Sequence, residues 1–159
     1  MLQHYTASTY LVFNKSIALH WHKLNMWLPP GGHLLNGEEP SFAAIREVKE
    51  ETGIDVKIID IYKKIDRYKI KTMAPSPISI KIYEVSRNLF HPKHTHIDFI
   101  YFAKPEFPNK KLFEYSSKKF HWFNLDAVKK NKGFEVNGEK QKISKDVRAL
   151  SIAAILALE

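Results

Sequence analysis

The sequence predicts a mixed protein of the α+β or α/β kind, with a mixed β-sheet sandwiched between α-helices. Three observations lead there. Short apolar, β-branched runs alternate with a period of two in the first half and the middle of the chain. One stretch, Ser41 to Thr52, carries helix punctuation at both ends. The last seventeen residues repeat apolar side chains at helical spacing.

In order, STYLVFN (8–14) and SIALHWHK (16–23) read as two strands joined tightly at Asn14-Lys15. LPPGGHLLNGEEP (28–40) reads as a loop, because prolines and glycines break regular structure. Ser41 to Thr52 reads as a helix, with Pro40 near its first turn and Gly53 where a left-handed cap residue sits. Ala44 and Val48 give it a buried side. Strands follow at 54–63, 76–86 and 95–103. The last places Ile97, Phe99 and Tyr101 on one face and His96 and Asp98 on the other. Residues 105–119 read as a mobile loop, 119–125 as a short strand, and 126–131 as a helix. The chain ends in a helix with Val147, Leu150, Ala154 and Leu158 inward.

No linker, repeat or low-complexity segment divides the 159 residues, so one domain spanning 1–159 is expected. There is no cysteine, which excludes disulfides, thiolate zinc sites and cysteine nucleophiles. The N-terminus lacks the basic-then-apolar pattern of a signal peptide, and no apolar run reaches the roughly 18–20 residues of a membrane span. Those features fit a cytoplasmic protein. The formal charge of +8 and pI near 9.5 favour anionic partners such as nucleotides or polyphosphates, or serve solubility alone.

The stretch REVKEETG, 46–53, raises a chemical question. On a helix, Glu47, Glu50 and Glu51 fall at i, i+3 and i+4 and project from one face. Like charges at that spacing repel by roughly 0.2–0.5 kcal/mol per pair. Such a cluster is either a solvated acidic face or a site for a hard cation that prefers carboxylate oxygen.

The surrounding residues decide between these readings. Gly32, Glu38, Arg46, Glu47, Val48, Glu50, Glu51, Gly53 and Ile54 occupy all nine defined positions of the pattern Gly-x5-Glu-x7-Arg-Glu-apolar-x-Glu-Glu-x-Gly-apolar. Residues 32–54 thus resemble the Nudix box, and the strand order on both sides is similar to that family's fold. The resemblance implies Mg²⁺, or Mn²⁺, held by Glu50 and Glu51, with Glu47 as a ligand or a base and a carbonyl near Gly32 as a further oxygen. It implies that Arg46 orients a glutamate and that Glu38 steadies the loop–helix junction. The implied reaction is metal-dependent hydrolysis of a phosphoanhydride bond in a nucleoside diphosphate linked to another moiety X. Nucleotide sugars, ADP-ribose, dinucleoside polyphosphates and nucleoside triphosphates all qualify. Alternatives are a non-catalytic nucleotide sensor on the same fold, or a pyrophosphohydrolase of RNA 5′ ends. Isomerisation of isoprenoid diphosphates, which relies on a cysteine in a related family, is excluded here. Homodimers occur in the resembling family, so a homodimer is compatible with the chain.

Outside the box, Glu114 and Asp98 stand level as candidates for the general base, with Glu84 behind them; a solvated or packing role is the alternative for each. His20 and His22 alternate on one strand and His94 and His96 on another. If those strands are neighbours, the imidazoles gather near the phosphates as a phosphate-binding or second metal site; otherwise they are surface polar residues. His33 follows Gly32 and is expected to point at the site. Trp21, Trp27 and Trp122 either stack on a base or anchor the core. Lys110, Lys111, Lys118 and Lys119 either draw in an anion or are solvated.

Overall fold

The structure, a computed structural model, describes residues 2–61, 74–86, 92–113 and 120–159. An eight-stranded mixed sheet forms its centre. The strands β1 (Gln3–Phe13) and β7 (His94–Pro105) lie parallel in the middle, paired from Gln3↔Thr95 to Leu11↔Ala103. On the other side, β1 meets β2 (Ser16–His22), and β2 meets β3 (Met26–Leu28) and β8 (His121–Asn124). The short β4 (Gly31–His33) also pairs with β1, while β5 (Val56–Ile58) and β6 (Ser79–Val85) pair with β7. All of these pairings except β1–β7 are antiparallel.

Helices cover both faces, as the sequence predicts. On one side α1 (Pro40–Thr52) packs Val48 with Leu11, Ala18 and Ala103, and its Ala43 and Ala44 with Ala7 and Tyr101. On the other side α2 (Leu125–Lys130) and α3 (Lys145–Leu158) bring Val128, Val147, Ala154, Ile155 and Leu158 against Tyr10, Val12, Ile17, Leu19, Ile100 and Phe102. Strand parity therefore sorts side chains cleanly. Even-numbered residues of β1 and β7 face α3, and odd-numbered ones face α1. On β2 the parity reverses, because Ile17 and Leu19 sit with the α3 cluster and Ala18 with the α1 cluster.

The punctuation of α1 is as its sequence requires. Pro40 takes the first turn, the Glu39 side chain caps the Ser41 N–H at 2.9 Å, and Gly53 adopts φ 75° while donating its N–H to Lys49 O. Asn14 and Lys15 both have positive φ, forming the two-residue hairpin between β1 and β2.

Several boundaries differ from the sequence expectation. Strand β1 starts at Gln3 rather than residue 8, because the parallel ladder with β7 recruits the polar segment before it. Of the expected strand 54–63, the described part to residue 61 forms a strand at Val56–Ile58, paired with β7; residues 62 and 63 lie outside the described residues. The expected loop 28–40 contains β4, extended because it pairs with β1. The expected loop 105–119 opens with the end of β7 and contains a 3₁₀ turn at Lys110–Phe113. A small hairpin, β9 (Phe134–Val136) with β10 (Glu139–Gln141), is an element the sequence reading omits. Its signal is present in the chain as Asn137-Gly138, the residue pair that two-residue turns of positive φ prefer. Trp27 is buried in the core and donates Nε1–H to Gln141 O at 3.3 Å, so it acts as an anchor.

Candidate active site

The site is built where α1 crosses β4. Gly32 pairs with Ala7 on β1, and its missing side chain leaves room for the Glu47 carboxylate. A Cβ at Gly32 would come within 2.6 Å of Glu47 Cδ, closer than any real contact. Gly31 is confined in the same way by the backbone of Ala7 and Ser8, and its N–H donates to Glu51 Oε2 at 3.3 Å. The Gly-Gly pair thus allows two helix carboxylates to press against a strand backbone.

Arg46 organises the acids. Its Nε and Nη2 donate to the two oxygens of Glu38, each at 2.8 Å, as a bidentate fork. Its Nη1 donates to Glu47 Oε1 at 2.7 Å and to Glu50 Oε2 at 3.4 Å, and Nη2 also reaches the His33 carbonyl at 3.1 Å. Glu38 in turn accepts the Leu35 N–H at 2.9 Å, which ties the loop to the helix. The hydrogen bond from Arg46 holds the Glu38 carboxyl below its ordinary range, and the same pairing raises the guanidinium. Glu47 shows the opposite shift. Burial raises it, Arg46 opposes that, and the charges of Glu50 and Glu51 add to the rise.

The donors at this place are all oxygens: three carboxylates on one helix face and the peptide of Gly32 packed against one of them. That set suits a hard divalent cation such as Mg²⁺ or Mn²⁺, and the burial-raised Glu47 marks negative charge that lacks full compensation. Glu50, the most exposed of the three, has room to turn toward a ligand.

Histidines join from β2. His20 Nδ1 lies 3.3 Å from Glu51 Oε2, and the His22 ring stacks on it at 5.7 Å between centroids. Burial first, then His20 and Lys23, lowers the His22 pKa. The condition for gathering all the imidazoles, that the two strands be neighbours, is not met. The strands β2 and β7 are not neighbours, and their parities are opposite, so His20 and His22 face α1 while His94 and His96 face away from it. Asp98 also faces away from the carboxylates. It is buried and accepts hydrogen bonds from Thr6 Oγ1 at 2.9 Å and Ser8 Oγ at 2.8 Å, and burial raises its pKa. His33 offers its carbonyl to Arg46, while its ring lies 5.0 Å from that of His96. Glu84 forms an exposed ion pair with Lys93 at 2.7 Å. Glu114, Lys118 and Lys119 lie outside the described residues.

Sequence reasoning missed the Gly31 contact to Glu51 and the pairing of His4 with His96. The second has no local signal, because His4 meets His96 only through the register of β1 on β7.

The family model described as NUDIX domain matches residues 3–142. The chain belongs to the NUDIX family. A NUDIX-family hydrolase from Clostridium perfringens is similar over 100% of both chains, at 30% identity and a TM-score of 0.72. The bis(5′-nucleosyl)-tetraphosphatase (asymmetrical) of Sus scrofa is 34% identical over 91 residues, which span 53% of this chain and 58% of that protein. A mutator MutT protein from Bacillus halodurans shares the fold at a TM-score of 0.54 and 16% identity, covering 96% of this chain and 82% of that one.

The close fit at Gly32 makes a prediction for this Nudix chain. Gly32→Ala should push the Glu47 carboxylate off β4, lowering turnover by on the order of 100-fold and stability by about 1–3 kcal/mol. Steady-state kinetics together with urea unfolding check both numbers.

Proposed function

We propose that this chain hydrolyses a phosphoanhydride bond in a nucleoside diphosphate linked to another moiety, with Mg²⁺ or Mn²⁺ at the α1 carboxylates. The observation that carries this reading is the contact of Glu47 and Glu51 with the Gly32 and Gly31 backbone, with Glu50 on the same helix face and Arg46 spanning Glu38, Glu47 and Glu50. Glu50, Glu51 and Glu47, with the Gly32 carbonyl, are the residues that would hold the cation. When bound, that cation offsets phosphate charge and makes a water more acidic.

The remaining work falls to the chain. Arg46 fixes the rotamers of Glu47 and Glu50, so the acids are positioned before substrate arrives. Where Glu47 does not itself hold the cation, its place between Arg46 and the other two acids suits it to accept a proton from the attacking water. Glu114 is retained as a second candidate for that role. His20 and His22 border the acids on the α1 face. The buried Nε2 of His20 has no hydrogen-bond partner among the described residues. The +8 charge supports an anionic, nucleotide-type substrate.

For X, the Sus scrofa relative puts dinucleoside polyphosphates first. The test is a panel of dinucleoside polyphosphates, nucleotide sugars, ADP-ribose, nucleoside triphosphates and 5′-triphosphate RNA, incubated with Mg²⁺ and resolved by product. Turnover of dinucleoside polyphosphates above the other classes supports the reading. Tight binding of nucleotides with no cleavage of any of them would overturn hydrolysis in favour of a sensor.

A further inference from the structure

On the face of the sheet turned away from α1, the chain assembles a second cluster of ligating side chains. His4 on β1 pairs directly with His96 on β7, and His94 lies two residues earlier on the same face. One ligating nitrogen from each of the three imidazoles falls within 4.8 Å of the others. The Nε2 atoms of His94 and His96 are 3.0 Å apart, and the His4 ring lies 4.4 Å from His94 and 5.7 Å from His96 between centroids.

We propose that His4, His94 and His96 form a binding site for a divalent metal ion of the Zn²⁺ class, separate from the carboxylate site. Two imidazole nitrogens bound to tetrahedral Zn²⁺ at 2.0–2.1 Å lie roughly 3.3 Å apart. The His94–His96 separation is already near that value, and a modest rotation of the His4 ring closes the third edge. Ring orientation is set from behind. His94 Nδ1 is 2.8 Å from the Pro92 carbonyl, so Nδ1 carries the proton and the Nε2 lone pair points into the cluster. His96 Nδ1 is 3.3 Å from Tyr83 Oη on β6, a second contact behind the cluster. His94 is buried and the other two are half-buried, so packing fixes the rings.

Donor chemistry separates the two sites. Three imidazoles with no carboxylate among them select Zn²⁺, Co²⁺, Ni²⁺ or Cu²⁺ over Mg²⁺, whereas the α1 site is dominated by three carboxylates, with His20 at its edge. Three protein ligands leave a fourth position. Of the three, His4 also borders a cavity of about 410 Å³ formed with His33, Leu34, Asn36 and Glu38. A bound ion would clasp β1 to β7 beside the β4 segment that carries Gly32.

The experiment titrates chelator-treated protein with Zn²⁺, and with Co²⁺ as a spectroscopic probe. The expected result is one ion per chain at this site, tetrahedral visible absorption with Co²⁺, and a Zn²⁺-dependent rise in Tm. His4→Gln and His96→Gln should each weaken Zn²⁺ by on the order of 100-fold or more, while Glu51→Gln retains it. His4 is half-buried, so His4→Gln serves if the His96 variant fails to fold, and far-UV circular dichroism of the metal-free proteins reports that. Zn²⁺ affinity unchanged in His4→Gln, or lost in Glu51→Gln, would overturn the site and place zinc at the carboxylates. No saturable binding, with hydrolysis intact, would overturn it while leaving the proposed reaction standing.

Discussion

Glu50→Gln should reduce Mg²⁺-supported hydrolysis by on the order of 10²–10⁴-fold while shifting stability by less than about 0.5 kcal/mol. The asymmetry follows from its surroundings. The Glu50 side chain is 58% exposed and its contact to Arg46 is long, at 3.4 Å, so folding depends on it little. Removing its charge also relieves repulsion from Glu47 and Glu51 on the same helix face. What the substitution does remove is one of the anionic oxygens proposed to hold the cation. Measuring kcat/KM beside urea unfolding separates the two effects. Hydrolysis retained within tenfold would mean that Glu50 is not part of the reacting machinery. A large loss of stability would mean that the acidic cluster is structural.

Arg46→Ala should cost both. The guanidinium bridges Glu38, Glu47, Glu50 and the His33 carbonyl and is only 23% exposed. Its removal leaves Glu38 and Glu47, each 14% exposed at the side chain, without their cation. Breaking a partly buried, bidentate charge pair gives a loss of about 3 kcal/mol. Arg46→Lys should recover only part, because one ammonium cannot fork onto Glu38 and reach Glu47 together. The pH dependence carries a sign. The folded pKa of Glu38 is lowered from its ordinary value of 4.5 by the hydrogen bond from Arg46. Its stabilisation is therefore fully present above 4.5 and is lost as pH falls through the lowered folded value. Acid unfolding of the wild-type chain should show this component, and Arg46→Ala should lack it. Unfolding midpoints within 0.5 kcal/mol of wild type at neutral pH, with turnover unchanged, would sink the assignment of Arg46 as the organiser of the acids.

The helix carrying the acids was readable because its signals are local. Pro40 and Gly53 bound it, Ala44 and Val48 mark its buried side, and both ends behave accordingly. The Asn14-Lys15 hairpin was legible for the same reason. The Asn137-Gly138 turn carries an equally local signal, but its flanking strands are only three residues each and lack the long alternation that marks β1 or β7. The extension of β1 to Gln3 has no local signal, since a polar segment becomes a strand only when β7 supplies the ladder.

By itself the sequence determined the spacing that puts Glu47, Glu50 and Glu51 on one helix face, the glycines that let a strand approach them, and the family to which that pattern belongs. Only the tertiary structure decided which other polar residues share that face. His20 and His96 look alike as alternating strand histidines, yet β2 and β7 flank β1 with opposite parity. A two-residue period fixes which side chains travel together along one strand. It does not fix which face of the sheet they take: for β2 that follows from the short hairpin onto β1, and for β7 from the long-range register that sets Thr95 beside Gln3.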